Sequence, residues 1–389
     1  MGDVYRDRLT GMQDEVAYRE KPTPDPSTGP ELHAHRFGDS APFSLGIEEE
    51  LLLVDEERRL CAVSERVLDE VSGPAAPRIT SEIFAEQIEL KTGICLGADE
   101  ALAELREARL TIREAGFGLL GAGLHPADEP DQPRLVAKPR YEIVREDLGD
   151  LLRTPPCGLH VHVGIPDPET AVRIANAFRL YLPVLQALSA NSPFRAGADS
   201  GHASARTQVV RSYPRFQVPR RFRDYEDFCR VADQLIAAAG VDDYTYIWWD
   251  VRPHPKLGTV EVRAVDVQTD AAGSAAVAAL IQAIAATELE RPTAPGLYRE
   301  TLEESYFQAA SHGLDAEILF DTDSPEPARE VARRVLDSVR PCARELGGEA
   351  ALEEIERILR DGNGADVQRR VHQAVGMSGL LDHLAERTR

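Results

Sequence analysis

The chain has 389 residues, of which 43% are hydrophobic and 28% are charged, an ordinary composition for a globular protein. Its formal net charge is −22 at pH 7, and an excess of acidic groups repels nucleic-acid phosphates and anionic lipid surfaces. The five cysteines form no C-x-x-C pair, and we find neither an apolar signal segment nor a stretch of about 18 apolar residues. These features predict a cytoplasmic protein with no nucleic-acid partner and no membrane span.

Residues 1 to about 40 are polar and rich in proline and charge, which predicts a flexible N-terminal extension. Residues 41–389 are then expected to form a single domain. Its C-terminal portion, from about 325 to 389, is predicted to be helical and to be interrupted at Asp361-Gly-Asn-Gly.

Between these limits, strand and helix patterns are mixed. Helical spacing over 99–115 suggests Asp99 as an N-cap, and Asp167 with Pro168 predicts the start of a helix that runs to about 190. Strands are predicted at 43–54, 158–164 and 259–265, an arginine-rich loop at 191–222, and an alanine-rich helix at 273–289. Because no regular βαβ rhythm appears, an α+β fold with an antiparallel or mixed sheet is expected.

The first chemical motif is Gly46-Ile-Glu-Glu-Glu-Leu. On a strand, Glu48 and Glu50 share one face, while Glu49 lies on the other face with aliphatic neighbours. Two carboxylates on one face repel each other unless a cation lies between them. The motif indicates a metal site, although an ordinary solvated strand face has the same pattern.

A second acidic segment spans residues 81–90. As a helix, it would place Glu82, Glu86 and Glu89 on one face, which is typical of a solvated stripe. As a strand, it would pair Gln87 with Glu89 on one face. Periodicity alone leaves both interpretations open.

Two further strand patterns carry polar pairs. His160 and His162 share a face in Gly158-Leu-His-Val-His-Val-Gly, and Glu261 and Arg263 share a face in Thr259-Val-Glu-Val-Arg. The histidines suit either a metal or a phosphate, while Glu261 and Arg263 suit either a simple salt bridge or a metal ligand beside a phosphate-binding arginine. No Walker A or G-x-G-x-x-G sequence occurs, so P-loop and Rossmann folds lack their key residues.

These stretches, taken together, resemble the type 2 glutamate–cysteine ligase family, also called carboxylate–amine ligases. The resemblance rests on several motifs in order: Ser44-Leu-Gly-Ile-Glu-Glu-Glu-Leu, Glu86-Gln-Ile-Glu-Leu-Lys-Thr, Cys157-Gly-Leu-His-Val-His-Val-Gly-Ile-Pro-Asp, Asn191-Ser-Pro-Phe, and Asp243-Tyr-Thr-Tyr-Ile-Trp-Trp-Asp-Val-Arg-Pro with Thr259-Val-Glu-Val-Arg-Ala-Val-Asp. It implies a glutamine-synthetase-like catalytic fold, in which a curved antiparallel or mixed sheet carries helices on its convex face.

The resemblance also implies roles for individual residues. The expected metal ligands are Glu48, Glu50, Glu89, His160 and Glu261. Arg263 is expected to contact phosphate, with His162 and Arg206 as further nucleotide-binding residues, and Arg252 is expected to bind the substrate carboxylate; Arg263 and Arg252 are thus the expected catalytic groups.

The implied activity is ATP- and Mg²⁺- (or Mn²⁺-) dependent formation of an amide through an acyl-phosphate, from glutamate and cysteine or another amine. The partners would be these small molecules, with a homo-oligomer as an option. Two alternatives stay open, namely a phosphotransferase on the same fold and a non-catalytic nucleotide-binding paralogue. Four departures from the family pattern, at Arg195, Ala205, Ser305 and Ser311, bear on the acceptor amine.

Overall fold

The structure is a computed structural model that describes residues 32, 34–129, 133–293 and 296–388. Its strands are β1 (Leu45–Val54), β2 (Ile79–Ser81), β3 (Gln87–Lys91), β4 (Gly118–Leu120), β5 (Gly158–Gly164), β6 (Phe194–Arg195), β7 (Ala198–Asp199), β8 (Val251–His254), β9 (Thr259–Asp266), β10 (Glu317–Ile318) and β11 (Glu326–Pro327). Its α-helices are α1 (Ser64–Glu70), α2 (Ala98–Glu114), α3 (Pro139–Leu148), α4 (Pro168–Ser189), α5 (Ala205–Val210), α6 (Tyr225–Ala239), α7 (Ala271–Glu290), α8 (Arg299–His312), α9 (Ala328–Glu345), α10 (Leu352–Asp361) and α11 (Gly364–Arg387).

A seven-stranded sheet forms the centre of the fold, in the order β2-β3-β1-β5-β9-β8, with β4 paired to the end of β1. All its pairings are antiparallel, so the expected α+β class with an antiparallel sheet is confirmed. Ile47, Val161 and Val262 lie on one face and are at most 1% exposed, in the same core as α4 and α7. Strand alternation therefore leaves the opposite face for polar side chains.

Glu49 is the exception on the apolar face. Its carboxylate accepts hydrogen bonds from Nε (3.0 Å) and Nη2 (2.7 Å) of Arg109 on α2, and neither side chain is exposed to solvent. Arg109 also donates to the carbonyl oxygens of Gln268 and Thr269. The middle glutamate of the Glu-Glu-Glu run is thus part of the core, and a buried ion pair fixes α2 to the sheet.

Several local expectations are corrected. The N-cap of α2 is Gly97, and no side chain caps that helix, so Asp99 lies within its first turn instead. The acidic segment at 81–90 is the end of β2, a turn and β3, which excludes the helical interpretation. The predicted loop at 191–222 contains β6, β7 and the short helix α5. By contrast, Asp167 does cap α4, accepting from the Thr170 amide at 2.8 Å.

The sequence predicted no membrane span, and helix α7 is the described helix that bears on this prediction. By length and composition it could cross a membrane, because an 18-residue stretch of it has a mean hydropathy of 1.5. However, 89% of that stretch is buried inside the fold. A helix that packs against protein on all sides is apolar all round, which accounts for the composition. The helical C-terminal portion is confirmed by α9, α10 and α11, with a kink in α11 at Gly376.

The predicted N-terminal extension falls mostly on residues 1–31 and 33, which lie outside the described residues. Leu32 and Phe37 are buried, and the Tyr225 hydroxyl donates to the Leu32 carbonyl oxygen at 2.6 Å. The packed part of the chain therefore includes residues before 41.

Candidate active site

Strand register places the predicted polar residues side by side on one face of the sheet. Glu48 on β1 lies opposite His160 on β5, and Glu50 lies opposite Glu89 on β3. His162 lies opposite Glu261 on β9 in the same way. Four strands that are far apart in sequence thus contribute to a single polar surface.

Two groups of possible metal ligands share Glu48. One contains Glu48, His162 and Glu261, the other contains Glu48, Glu89 and His160, and the ligand atoms within each group lie within 4.8 Å of one another. Glu50 belongs to neither group; its Oε2 accepts from the Gly158 amide at 2.5 Å, and its Oε1 lies 3.8 Å from His160 Nε2.

His162 fits a metal better than the nucleotide role expected for it. Its Nδ1 is 2.9 Å from the Thr259 hydroxyl, whereas its buried Nε2 has no hydrogen-bond partner among the described residues. Nε2 is 3.9 Å from both Glu48 Oε2 and Glu261 Oε1. An imidazole held through one nitrogen, with the other aimed between carboxylates, is the usual arrangement of a metal-binding histidine.

The carboxylates of this face have opposing pKa shifts. Burial raises the pKa of Glu50, while burial and neighbouring carboxylates raise the pKa of Glu82 to about 7 and that of Glu89 to about 8. Burial also opposes ionisation of Glu48, but the hydrogen bond with His160 and the neighbouring His162 and Lys91 hold its pKa well below the usual range. Burial lowers the pKa of His160 to about 4, so its imidazole is neutral and can act as a ligand. Oxygen-rich ligands with mutual repulsion suit a hard divalent cation such as Mg²⁺ or Mn²⁺.

Glu261 is held between two arginines. Arg252 Nε lies 2.7 Å from Glu261 Oε2, and Arg263 Nη1 donates to Oε1. Both arginines lower the pKa of Glu261 although its burial opposes this. Arg252 Nη1 also donates to carbonyl oxygens of the 3₁₀ turn Tyr244–Tyr246 and of Ile247. Arg252 thus joins that turn to β9, while Arg263 Nε, which is buried, has no hydrogen-bond partner in the described structure.

Arg206 reaches the same face from α5. It is 2% exposed, and its Nε and Nη1 atoms have no hydrogen-bond acceptor in the described parts of the chain. It passes directly over Gly158, where an added Cβ would come within 2.3 Å of Arg206 Nη2. A glycine at the start of β5 is therefore required for this approach.

A cavity of about 450 Å³ lies over this face. Glu48, Glu50, Glu89, His160, Arg206, Arg252 and Arg263 line it, and so do residues that sequence analysis did not assign to the site, among them Glu82, Lys91, Lys138, Tyr141, Tyr213 and Trp248. His162 and Glu261 are not part of this lining.

Lys91 is the clearest of the missed residues, because its Nζ is 2.7 Å from Glu89 Oε2 and 3.3 Å from Glu48 Oε1. Lys138 and Tyr141 both donate to the Ser81 carbonyl oxygen. The scarcity of lysine could have indicated two of the missed residues. Only four lysines occur in this arginine-rich chain, and two of them, Lys91 and Lys138, line this cavity.

Comparison with known proteins shows the family to which the chain belongs. Residues 44–386 match the family described as glutamate–cysteine ligase family 2 (GCS2). The chain belongs to this family. It is therefore a ligase, and the family spans nearly all of the described residues.

Relatives in this glutamate–cysteine ligase family match along most of their length. A family relative from Rubrobacter xylanophilus is 41% identical over 363 residues, covering 91% of this chain and 99% of the relative. The protein named glutamate–cysteine ligase from Natronomonas pharaonis is 35% identical over 353 residues, covering 88% of this chain and 95% of the relative. The crystal structure of glutamate–cysteine ligase (gshA) from Francisella tularensis in complex with AMP has a TM-score of 0.68 at 14% identity and covers 90% of each chain, which shows a shared fold.

None of the four departures from the family pattern is among the described residues that line the cavity, although Ala205 precedes the lining residue Arg206. Arg195 pairs with Glu129, the Ser305 hydroxyl accepts from the Leu319 amide at 3.0 Å, and the Ser311 hydroxyl lies 3.1 Å from His202 Nδ1. Ala205 is buried beside Leu124 and Val209 in a small apolar cluster. Each of these residues is thus accounted for by local packing.

Proposed function

We propose that this ligase joins the carboxylate of glutamate, or of a related amino acid, to cysteine or another amine at the expense of ATP. The observation that carries the proposal is the pair of ligand groups sharing Glu48, with Arg206 and Arg263 in the same cavity. Carboxylate pairs can hold divalent cations, and arginines with unpaired nitrogens can bind phosphate oxygens. A triphosphate needs both kinds of group beside it.

The reaction follows from charge. A carboxylate oxygen attacks the γ-phosphorus of ATP and ADP leaves, which forms an acyl-phosphate; the amine then attacks the acyl carbon, phosphate leaves, and the amine proton is lost. Both partners in the first step are anions, so positive charge must surround the transferred group. Divalent cations bound at this face would neutralise the phosphate oxygens.

Individual residues of the chain then have separate tasks. Glu48, Glu89, His160, His162 and Glu261 would hold the cations. Arg263, whose Nε is unpaired, and Arg206 would contact phosphate. Because Nε and Nη1 of Arg252 are engaged by Glu261 and backbone carbonyls, we assign it the positioning of Glu261 in addition to any substrate contact.

The α5 region would help to exclude water from the acyl-phosphate. Val210, Tyr213 and Phe216 line the cavity together with Trp248, so one side of the cavity is apolar and aromatic. An acyl-phosphate hydrolyses in water, and an apolar wall beside it favours attack by the amine.

We also place the enzyme in the cytoplasm, where ATP and reduced thiols are present; all five of its cysteines are unpaired.

The test is an amine screen with the purified chain, ATP, Mg²⁺ and glutamate, read by ADP formation and by the mass of the product. ADP formation that requires both glutamate and one amine, with an amide product, is expected. ADP formation without any amine dependence, or phosphate transfer to a hydroxyl, would contradict the proposal.

A further inference from the structure

A second cavity, of about 580 Å³, lies among the helices that cover the apolar side of the sheet. It is bounded by one side of α4, by the segment before α6, by the end of α7, and by α8. No described residue lines both this cavity and the cavity over Glu48. Its volume is within the range of small-molecule sites in proteins.

The lining of this cavity is basic. Arg173 and Arg179 come from α4, Arg221 and Arg223 come from the segment before α6, and the acidic residues are Glu169 and Glu288. Four guanidinium groups thus line one cavity of a chain whose net charge is −22. Positive charge collected in a cleft attracts anions more strongly than the same charge spread over a surface.

The two glutamates do not neutralise this group. Glu288 accepts hydrogen bonds from the Tyr181 hydroxyl at 2.5 Å and from the Thr293 amide at 2.8 Å. Glu169 accepts from the Tyr225 amide at 3.2 Å. Neither carboxylate forms an ion pair with an arginine of the cavity among the described residues. Arg223 pairs with Asp224, whereas the other three arginines of the cavity form no ion pair with a described residue.

Arg179 provides the strongest single piece of evidence that this cavity binds an anion. Its side chain is only 6% exposed, its Nε donates to the Pro219 carbonyl oxygen at 2.8 Å, and no described carboxylate pairs with it. Burial and the positive charges of Arg221 and Arg299 lower its pKa to about 10, although the negative charge of Glu300 opposes this. A buried cation that forms no ion pair is costly, and no ion pair of Arg179 occurs among the described residues, so its remaining nitrogens are suited to an incoming anion.

We propose that this cavity is a binding site for a small organic anion that carries phosphate or carboxylate groups. Arg179 is the buried contact and the exposed Arg221 is the outer one, because planar guanidinium groups bind both kinds of oxyanion with two parallel hydrogen bonds. Leu180, Phe222 and Leu302 supply apolar contacts for the body of the ligand. The site is separate from the ligase reaction and does not depend on it.

Calorimetric titration of the full-length chain tests this. The probes are phenyl phosphate and benzene-1,3-dicarboxylate, two dianions on the same ring, with phenol as the neutral control. We expect one site for at least one dianion and none for phenol. Binding of only one dianion identifies the group that the arginines prefer, and binding of both shows that either oxyanion is accepted.

Arginine-to-glutamine variants test whether the dianion binds in this cavity. Arg179→Gln and Arg221→Gln should each weaken dianion binding about tenfold or more, as expected for a lost charge-assisted hydrogen bond. Arg106→Gln, which removes an exposed arginine of α2 outside the cavity, should leave it unchanged. Arg221 is exposed, so its variant keeps the test decisive if Arg179→Gln fails to fold.

Three results would overturn the proposal: no dianion binding by the unaltered chain at millimolar concentration, equal affinities in Arg221→Gln and Arg106→Gln, or loss of binding in Arg263→Gln alone. The last result would place the probe in the cavity over Glu48.

Discussion

The Nε2 atom of His162 lies 3.9 Å from Oε1 of Glu261, across the neighbouring strands β5 and β9. The other ring nitrogen of His162 is 2.9 Å from the Thr259 hydroxyl, so the ring is oriented by a residue two positions before Glu261. One strand thus supplies both a proposed ligand and the group that orients a second ligand.

Thr259→Val should weaken metal binding without removing a ligand. Valine keeps the shape of threonine but cannot hydrogen-bond to Nδ1, so the imidazole loses the contact that fixes its orientation. Loss of such a supporting contact typically costs about 10–100-fold in metal affinity. Mn²⁺ titration followed by electron paramagnetic resonance measures the effect. Thr111→Val, at a half-buried position of α2 outside the cavity lining, is the control, and equal Mn²⁺ affinities in the two variants would exclude the supporting role.

Glu261→Gln should abolish tight Mn²⁺ binding and lower ligase turnover about 10²–10³-fold, because electrostatic stabilisation of the transferred phosphoryl group is lost. Glu49→Gln is a matched control, since Glu49 is an equally buried carboxylate paired with arginine on the opposite face of the same sheet. Both variants should melt at lower temperature. Only Glu261→Gln should lose metal and turnover, and a comparable loss in Glu49→Gln would show that general destabilisation is the cause.

Arg109→Leu should lower the free energy of unfolding by about 3–5 kcal/mol, because it leaves the Glu49 carboxylate buried without a partner. Replacing both residues, Glu49→Leu with Arg109→Leu, removes the uncompensated charge and should recover most of that loss. Urea unfolding of the single and double variants measures this difference. A double variant less stable than Arg109→Leu would show that the pair contributes net stability.

The metal-free protein should lose stability as the pH rises from 6.5 to 8. The folded-state pKa of Glu89 is raised to about 8 and that of Glu82 to about 7, by burial and by neighbouring carboxylates, from an ordinary value of 4.5. Between pH 6.5 and 8, Glu82 and Glu89 still bind protons in the folded state, whereas in the unfolded state they have already released them. The stability that this proton binding contributes is therefore lost as the pH rises. His160, whose pKa is lowered to about 4, acts in the opposite direction only below about 6.5.

Melting temperatures in EDTA across this window check the expectation. Glu89→Gln should flatten the decline, because its side chain does not titrate. Saturating Mg²⁺ should also flatten it, since a bound cation stabilises the ionised carboxylates. A decline of equal slope in EDTA and in Mg²⁺ would indicate that these carboxylates do not share a cation.

Much of the site could be predicted from the sequence because side chains on a strand alternate. That two-residue period alone placed Glu48 and Glu50 on one face of their strand, and likewise His160 and His162. It also placed Glu261 on the face opposite its aliphatic neighbours. The helical or extended state of Glu82–Glu89 could not be decided in this way, since acidic residues fit both periods. The antiparallel pairing of β3 with β1 resolved it.

The sequence by itself determined the family, the α+β class and the polar face of each strand, because these depend on short-range patterns and on motifs in order. Tertiary structure decided which strands are neighbours, and hence that His162 is aimed between Glu48 and Glu261. It also decided that Lys138 reaches the site, and that Arg179 is buried without an ion pair to any residue the structure describes. Such contacts join residues far apart in the chain, so they depend on packing and charge in three dimensions, and no local period encodes them.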